Sequence, residues 1–213
     1  MHKVGATRGL LTLLAVALTA GLLVAFSDLV SRERIAANER SYLLGQLSQV
    51  VNPDLYDNDL AASRIQVQDS DLLGLDDATD VYVGTRAGTP VAFLFIANAR
   101  DGYNGNIGLL VGITHDGRIT GVRVTAHRET PGLGDGIEAS KSDWIESFAG
   151  RSLGDPSVSG WTVRADGGEF DQLTGATITP RAVIKAVRNT LVFFADNRAA
   201  LMDSHPADTV ETP

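Results

Sequence analysis

Asp171-Gln172-Leu173-Thr174-Gly175-Ala176-Thr177-Ile178-Thr179-Pro180 reads as a loop that runs straight into a helix. Thr179 is a good N-cap, and Pro180 suits the first helical position, where its missing N–H costs nothing. Val183, Val187, Leu191 and Phe194 then recur at helical spacing on one face, with Arg181, Lys185 and Arg188 on another. Two threonine hydroxyls with almost no bulk between them stand just before the cap. A helix start presents free N–H donors and the positive end of a dipole, so this place suits a phosphate. The plain alternative is an ordinary helix entry with a Gly-containing turn.

Thr174-Gly175-Ala176-Thr177, followed by Ile178-Thr179, resembles the flavinylation motif of FMN-binding proteins: Ser/Thr-Gly-Ala-Thr, any residue, Ser/Thr. In that family the last threonine of the tetrad carries FMN through a phosphoester made by a separate flavin transferase. The matching residue here is Thr177. Thr174 stands where the family also accepts Ser, which suits a loop-shaping or phosphate-bonding group. Gly175 and Ala176 leave room for the transferase and the ring system. Asp171 holds the family's acidic position; it either helps the transferase place a metal or fixes the loop by Asx bonding.

Four further blocks stand in order: Asp101-Gly102-Tyr103-Asn104-Gly105, His127-Arg128-Glu129-Thr130-Pro131-Gly132-Leu133-Gly134-Asp135, Ser142-Asp143-Trp144-Ile145 and Asp166-Gly167-Gly168-Glu169-Phe170-Asp171-Gln172. With the tetrad they resemble the G subunit of the Rnf/Rsx electron-transport complex, from the N-terminal apolar segment to about Ala195. The C subunit of the sodium-pumping quinone reductase shares the tetrad but matches the other blocks less well. The resemblance implies a covalent FMN, electron traffic between ferredoxin and NAD or toward a redox-sensing regulator, and coupling to ion movement. It implies the other members of the complex and the transferase as partners. It also implies a bacterial inner-membrane location, with the FMN domain on the periplasmic side.

The residues bound the remaining choices. A net charge of −8 and a pI near 4.9 argue against nucleic acid, which selects basic surfaces. The chain has no cysteine, so thiolate metal sites, iron–sulfur ligation and cysteine catalysis are out. Residues 9–26 are an uncharged, mostly apolar run, close to the roughly 20 residues that span a bilayer. A retained anchor is the reading preferred; a signal peptide cut after Ala15-Val16-Ala17 or a buried helix are its rivals. Lys3 and Arg8 precede the run and Arg32, Arg34 and Arg40 follow it, so charge bias does not orient it.

After the anchor (residues 1–30) comes a connecting region over 31–79, with an amphipathic helix stopped by Asn52-Pro53 and a strand near Ile65-Gln66-Val67. A cofactor domain over 80–198 begins with strands at 81–85 and 91–96, joined through Ala87-Gly88-Thr89-Pro90. Strands at 107–113 and 119–124 reverse around Asp116-Gly117. A helix at 139–149, a short strand at 161–164 and the last helix follow, and residues 199–213 form a flexible polar tail. The sum is an α+β fold: a transmembrane helix, then one FMN-binding domain with a largely antiparallel sheet and flanking helices.

Around the flavin, the Pro131-Gly132-Leu133-Gly134 loop offers backbone N–H groups to flavin oxygens, or else simply reverses the chain. Glu129 and Thr130 would shape the approach of a redox partner, and Leu133 would sit near the ring. Tyr103 either stacks on the ring or packs. Among Lys141, Arg181, Lys185 and Arg188, Arg181 is best placed to neutralise phosphate, because it lies in the first helical turn. The rival function of another class is an anchored extracytoplasmic binding or sensor domain with no redox group. An anchored hydrolase would need a base beside Thr177, and the neighbouring sequence supplies none.

Overall fold

A computed structural model describes residues 3–204 and divides the chain into two compact units, Met1–Leu43 and Leu44–Pro213. The first helix, α1 (Lys3–Leu47), runs without a break from the apolar segment through the expected amphipathic stretch, so these are not two helices. In its apolar part Leu13, Val16, Leu18, Leu22, Val24 and Phe26 are all exposed. Among the described residues no helix is long and apolar enough to cross a membrane. The side chains of 1–12 and 27–33 lie outside those described.

Within the second unit, a turn over residues 48–51 follows α1, and Asn52 caps a short 3₁₀ turn, Pro53–Leu55, by accepting the Asp54 N–H at 3.0 Å. Then comes a meander of five antiparallel strands in chain order: β1 (Arg64–Val67), β2 (Thr79–Arg86), β3 (Thr89–Gly102), β4 (Gly105–Thr114) and β5 (Ile119–Ala126). β1 belongs to the sheet, paired to β2 over its whole length. The β2–β3 reversal is tighter than the four-residue turn expected. Arg86 pairs with Thr89, and Ala87 and Gly88 both take positive φ (49° and 77°), the twist-matched two-residue hairpin geometry. The β3–β4 hairpin closes at Gly102↔Gly105, with Tyr103 and Asn104 at its tip.

Strand alternation sorts the core. Phe93, Phe95, Ala97 and Ala99 face the last helix, α2 (Ile178–Asp203), whose Phe193 and Phe194 meet Phe93 and Phe95 in tilted and edge-on contacts. Ala92, Leu94 and Leu110 are buried but stand apart from that cluster, as do Leu47, Val50, Val51 and Leu60. The chain at Val50 lies directly on β4 and β5: a Cβ at Gly121 would come within 3.1 Å of Val50 Cα, and Thr120 Oγ1 donates to Val50 O at 2.5 Å.

The region after β5 departs from expectation. The 139–149 helix is only a 3₁₀ turn, Trp144–Phe148. Ser142 Oγ donates to Gly136 O (2.6 Å) and accepts the Trp144 N–H (3.2 Å), side-chain bonds that displace helical ones. The 161–164 strand reduces to one bridge, Val163↔Phe170, flanked by 3₁₀ turns. Phe148 is fully buried, stacked on Phe170 at 4.8 Å and Trp161 at 6.4 Å. Residues 199–203 are not part of a flexible tail as expected: α2 continues to Asp203 and Leu201 is buried. Residues 205–213 lie outside those described.

Candidate cofactor site

The loop before α2 is held from below. Trp144 Nε1–H donates to Asp171 O at 2.6 Å, so a buried indole fixes where the loop starts. Leu173 to Ala176 then makes a turn, with the Ala176 N–H on Leu173 O at 3.1 Å and Gly175 at φ 79°. Positive φ at the third position of a turn is the geometry that selects glycine. Leu133 packs on that glycine: a Cβ there would meet Leu133 Cδ2 at 2.8 Å.

α2 starts at Ile178, two residues earlier than Thr179 as N-cap implies, which moves Pro180 from its first to its third position. The cap residue is Thr177, with helical φ and ψ (−108°, −28°) and no side-chain cap bond. Thr177 is exposed, and its hydroxyl is not consumed by the helix. Thr179 is buried because its hydroxyl has another acceptor: Thr179 Oγ1–H donates to Glu129 Oε2 at 2.5 Å. By position, the N–H groups of Ile178 and Thr179 have no intrahelical acceptor.

A cleft of about 400 Å³ opens beside this loop, lined by Tyr103, Glu129, Thr130, Leu133, Gly134, Gly175, Ala176, Thr177, Ile178 and Thr179. The structure therefore gathers Glu129, Thr130, Leu133, Gly175, Ala176 and Thr177 from the expected set. Tyr103 and Gly134, from the hairpin turn and the glycine loop singled out in the sequence, line it as well, and Ile178 and Thr179 are added. Tyr103, Leu133 and Ile178 are large apolar side chains left exposed there. The volume lies within the range of small-molecule pockets, roughly 300–1,000 Å³. Apolar surfaces for a flat ring, small residues at Gly175 and Ala176, and a free hydroxyl at the rim fit FMN.

Three expected residues are not among the lining. Thr174 is exposed on the turn. Asp171 is exposed and its carboxylate pairs with Arg164 Nη1 at 2.6 Å, rather than bonding its own loop. Arg181 forks onto Asp166 through Nε and Nη2 at 2.6 and 2.8 Å, so its charge is engaged away from the cleft. Arg181 also holds the Asp166 carboxyl below the usual carboxylate range, chiefly through that hydrogen bond. Lys141 and Lys185 are engaged too, by Asp135 and Asp101.

The 127–135 loop is built inward. The Gly134 N–H donates to Thr130 O (3.0 Å) and the Gly132 N–H to Asp135 Oδ1 (2.7 Å), so these two glycine donors are used within the loop rather than offered to flavin oxygens. His127 Nδ1 accepts the Glu129 N–H at 3.1 Å, which leaves the proton on Nε2 to bond Glu138 Oε1 at 2.9 Å. Glu129 is 4% exposed and turned into the protein, not toward an approaching partner. Its Oε1 accepts the Asn104 N–H at 3.0 Å. Sequence reasoning singled out Glu129 but missed its inward turn; the small residues Gly102 and Gly134 were the available signal.

Residues 102–192, which hold the threonine-bearing cleft and most of the terminal helix, match the family of FMN-binding domains. The G subunit of the ion-translocating oxidoreductase complex of Shewanella oneidensis is 45% identical over 193 residues, covering 91% of each chain. Its counterparts from Pseudomonas aeruginosa and Vibrio vulnificus are 47% and 46% identical, over 84% and 85% of each chain. A crystal structure of Shewanella oneidensis NqrC aligns at TM-score 0.47 and 22% identity, over 73% of this chain and 72% of that one. The chain belongs to the family of G subunits of ion-translocating oxidoreductase complexes.

Proposed function

We propose that this chain carries FMN as a phosphoester on Thr177 and relays electrons within a membrane-bound, ion-translocating oxidoreductase complex. The observation that carries the reading is the Thr177 hydroxyl: exposed, unused as a cap, and at the rim of a cleft with apolar walls. Attachment requires an activated flavin donor, such as a flavin dinucleotide, presented by a separate transferase. The bond from Thr177 Oγ to phosphorus forms, the pyrophosphate P–O bond breaks, the adenylate leaves and the hydroxyl proton goes to solvent. When bound, FMN supplies one- and two-electron transfer. The chain's part is to hold it: Tyr103, Leu133 and Ile178 offer apolar surface that would exclude water from the ring, and the free N–H groups and dipole of the α2 start would favour a phosphate on Thr177. A covalent link suits a domain outside the cytoplasm, where a dissociated cofactor would be diluted away.

The exposed apolar side chains of α1 between Leu13 and Phe26 support a retained anchor, since water would penalise them and lipid would not. By resemblance to the Rnf/Rsx G subunits, the domain is placed on the periplasmic side, with the rest of the complex as partners and ferredoxin, NAD or a redox regulator at the ends of the path. Intact and tryptic mass spectrometry of the membrane-extracted protein tests the attachment. The adduct is expected within the peptide preceding Arg181. It should be absent from Thr177→Val and retained in part by Thr177→Ser, which keeps the nucleophilic oxygen. An adduct mapped to Thr174 or Thr179, or full loading of Thr177→Val, overturns the assignment.

A further inference from the structure

Glu129 is a buried carboxylate that the flavin chemistry does not use, and three separate parts of the chain converge on it. Its Oε1 takes the Asn104 N–H from the β3–β4 tip, at 3.0 Å. Its Oε2 takes the Thr179 hydroxyl from the first turn of α2, at 2.5 Å. Its own N–H is held by His127 Nδ1. Two glycines make the slot: a Cβ at Gly102 would come to 3.0 Å of Oε1, and one at Gly134 to 2.9 Å of Oε2. Asn104 Nδ2–H adds a bond to Thr130 Oγ1 at 3.2 Å, tying the same tip to the same loop.

These contacts bear on Thr177 through a short lever. Thr179 lies two residues beyond it, in the same helical turn, and is 1% exposed. On the other side Gly175 is pressed by Leu133, which comes from the loop that Glu129 begins. Thr177 is thus bracketed by two contacts, one made by Glu129 through Thr179 and one made by Leu133 on Gly175. Transfer of a phosphoryl group needs the attacking oxygen in line with the bond that breaks, and small misplacements cost large factors in rate.

From this geometry we infer that Glu129 is a positioning residue for flavinylation: acting through Thr179, it sets the α2 start so that the Thr177 hydroxyl faces the donor. This rests on Thr177 as the attachment point. It also explains why Thr179 carries a hydroxyl although it is not the cap: the hydroxyl is the handle that the carboxylate holds.

The test measures the rate of covalent FMN incorporation. Full-length, detergent-extracted apo-protein is mixed with the transferase and a flavin dinucleotide, and mass spectrometry follows the adduct well below every melting temperature. Thr179→Val should slow incorporation by about tenfold or more, the scale of one lost positioning bond. Thr179→Ser should restore a rate within about threefold of the natural chain, because the oxygen returns. Glu129→Gln, which keeps the acceptor for Asn104, should fall between them. Unchanged rates in Thr179→Val and Glu129→Gln overturn the proposal, as does a Thr179→Ser rate no better than that of Thr179→Val. Lowered melting temperatures with unchanged incorporation would assign Glu129 to stability alone, which also overturns it. If the natural chain carries its adduct elsewhere than Thr177, the underlying reading falls first, and the mapped peptide identifies that case.

Discussion

Gly175→Ala places a test on the turn that precedes Thr177. Gly175 sits at φ 79°, where an L-residue pays roughly 1–2 kcal/mol of steric strain. The added Cβ would also stand 2.8 Å from Leu133 Cδ2. That atom is the end of a flexible side chain, so the contact can be relieved by an off-rotamer leucine at about 0.5–1.5 kcal/mol. The sum is near 2 kcal/mol if the turn keeps its shape. For a domain of this size that corresponds to a fall in Tm of about 4–8 °C, followed by circular dichroism of the extracted protein. Gly175→Ala combined with Leu133→Ala should leave the φ strain and remove the contact. The cost assigned to Gly175→Ala should then be smaller when measured against Leu133→Ala than against the natural chain. An equal cost in both backgrounds would refute the packing of Leu133 on Gly175. No loss in either would refute the turn itself.

Three other expectations follow from particular contacts. Phe148 is fully buried between Trp144, Trp161 and Phe170, so Phe148→Ala should cost about 3–5 kcal/mol in urea unfolding. Asp166 has its folded pKa depressed, first by the hydrogen bond from Arg181. Its contribution to stability is therefore present above the ordinary carboxylate range and is lost as pH falls through the lowered value. The pair is exposed and the contribution small; NMR titration should show the Asp166 midpoint rise in Arg181→Gln. Protein made in a host lacking the transferase should be colourless yet melt cooperatively, because the Phe93, Phe95, Phe193 and Phe194 core closes without the cofactor; a non-cooperative melt would show FMN to be structural.

The sheet was legible where residue chemistry acts locally. The continuous apolar run Val91-Ala92-Phe93-Leu94-Phe95-Ile96 suits a strand with two buried faces, and Asp116-Gly117 supplies the left-handed residue its turn requires, Gly117 at φ 88°. Three residues of the tetrad, Gly175, Ala176 and Thr177, line the cleft, and helical spacing identified α2. What escaped depends on distant partners. Thr179 looks like a cap because Thr and Pro together favour one; only the carboxylate of Glu129, brought across from another loop, shows why its hydroxyl turns inward. The 139–149 segment has helical spacing in Trp144, Ile145 and Phe148, yet Ser142 binds Gly136 and breaks it. Arg181 was placed correctly in the first turn, but its fork meets Asp166, a residue whose position no local pattern gives. The edge strand β1, four residues long, has too few alternations to declare its partner.

The strand order β1-β2-β3-β4-β5 has a consequence in time. Each strand pairs with the one made just before it, so the meander can assemble as the chain emerges, without waiting for distant sequence. The hairpin tip at Tyr103 and the loop at Leu133 are then already in place, forming one wall of the cleft. The loop that carries Thr177 and α2 are synthesised after all of this. Thr177 thus reaches its wall late, and the proposed modification would serve as a checkpoint: only a chain that has completed its sheet and docked its last helix presents the threonine in the setting described above.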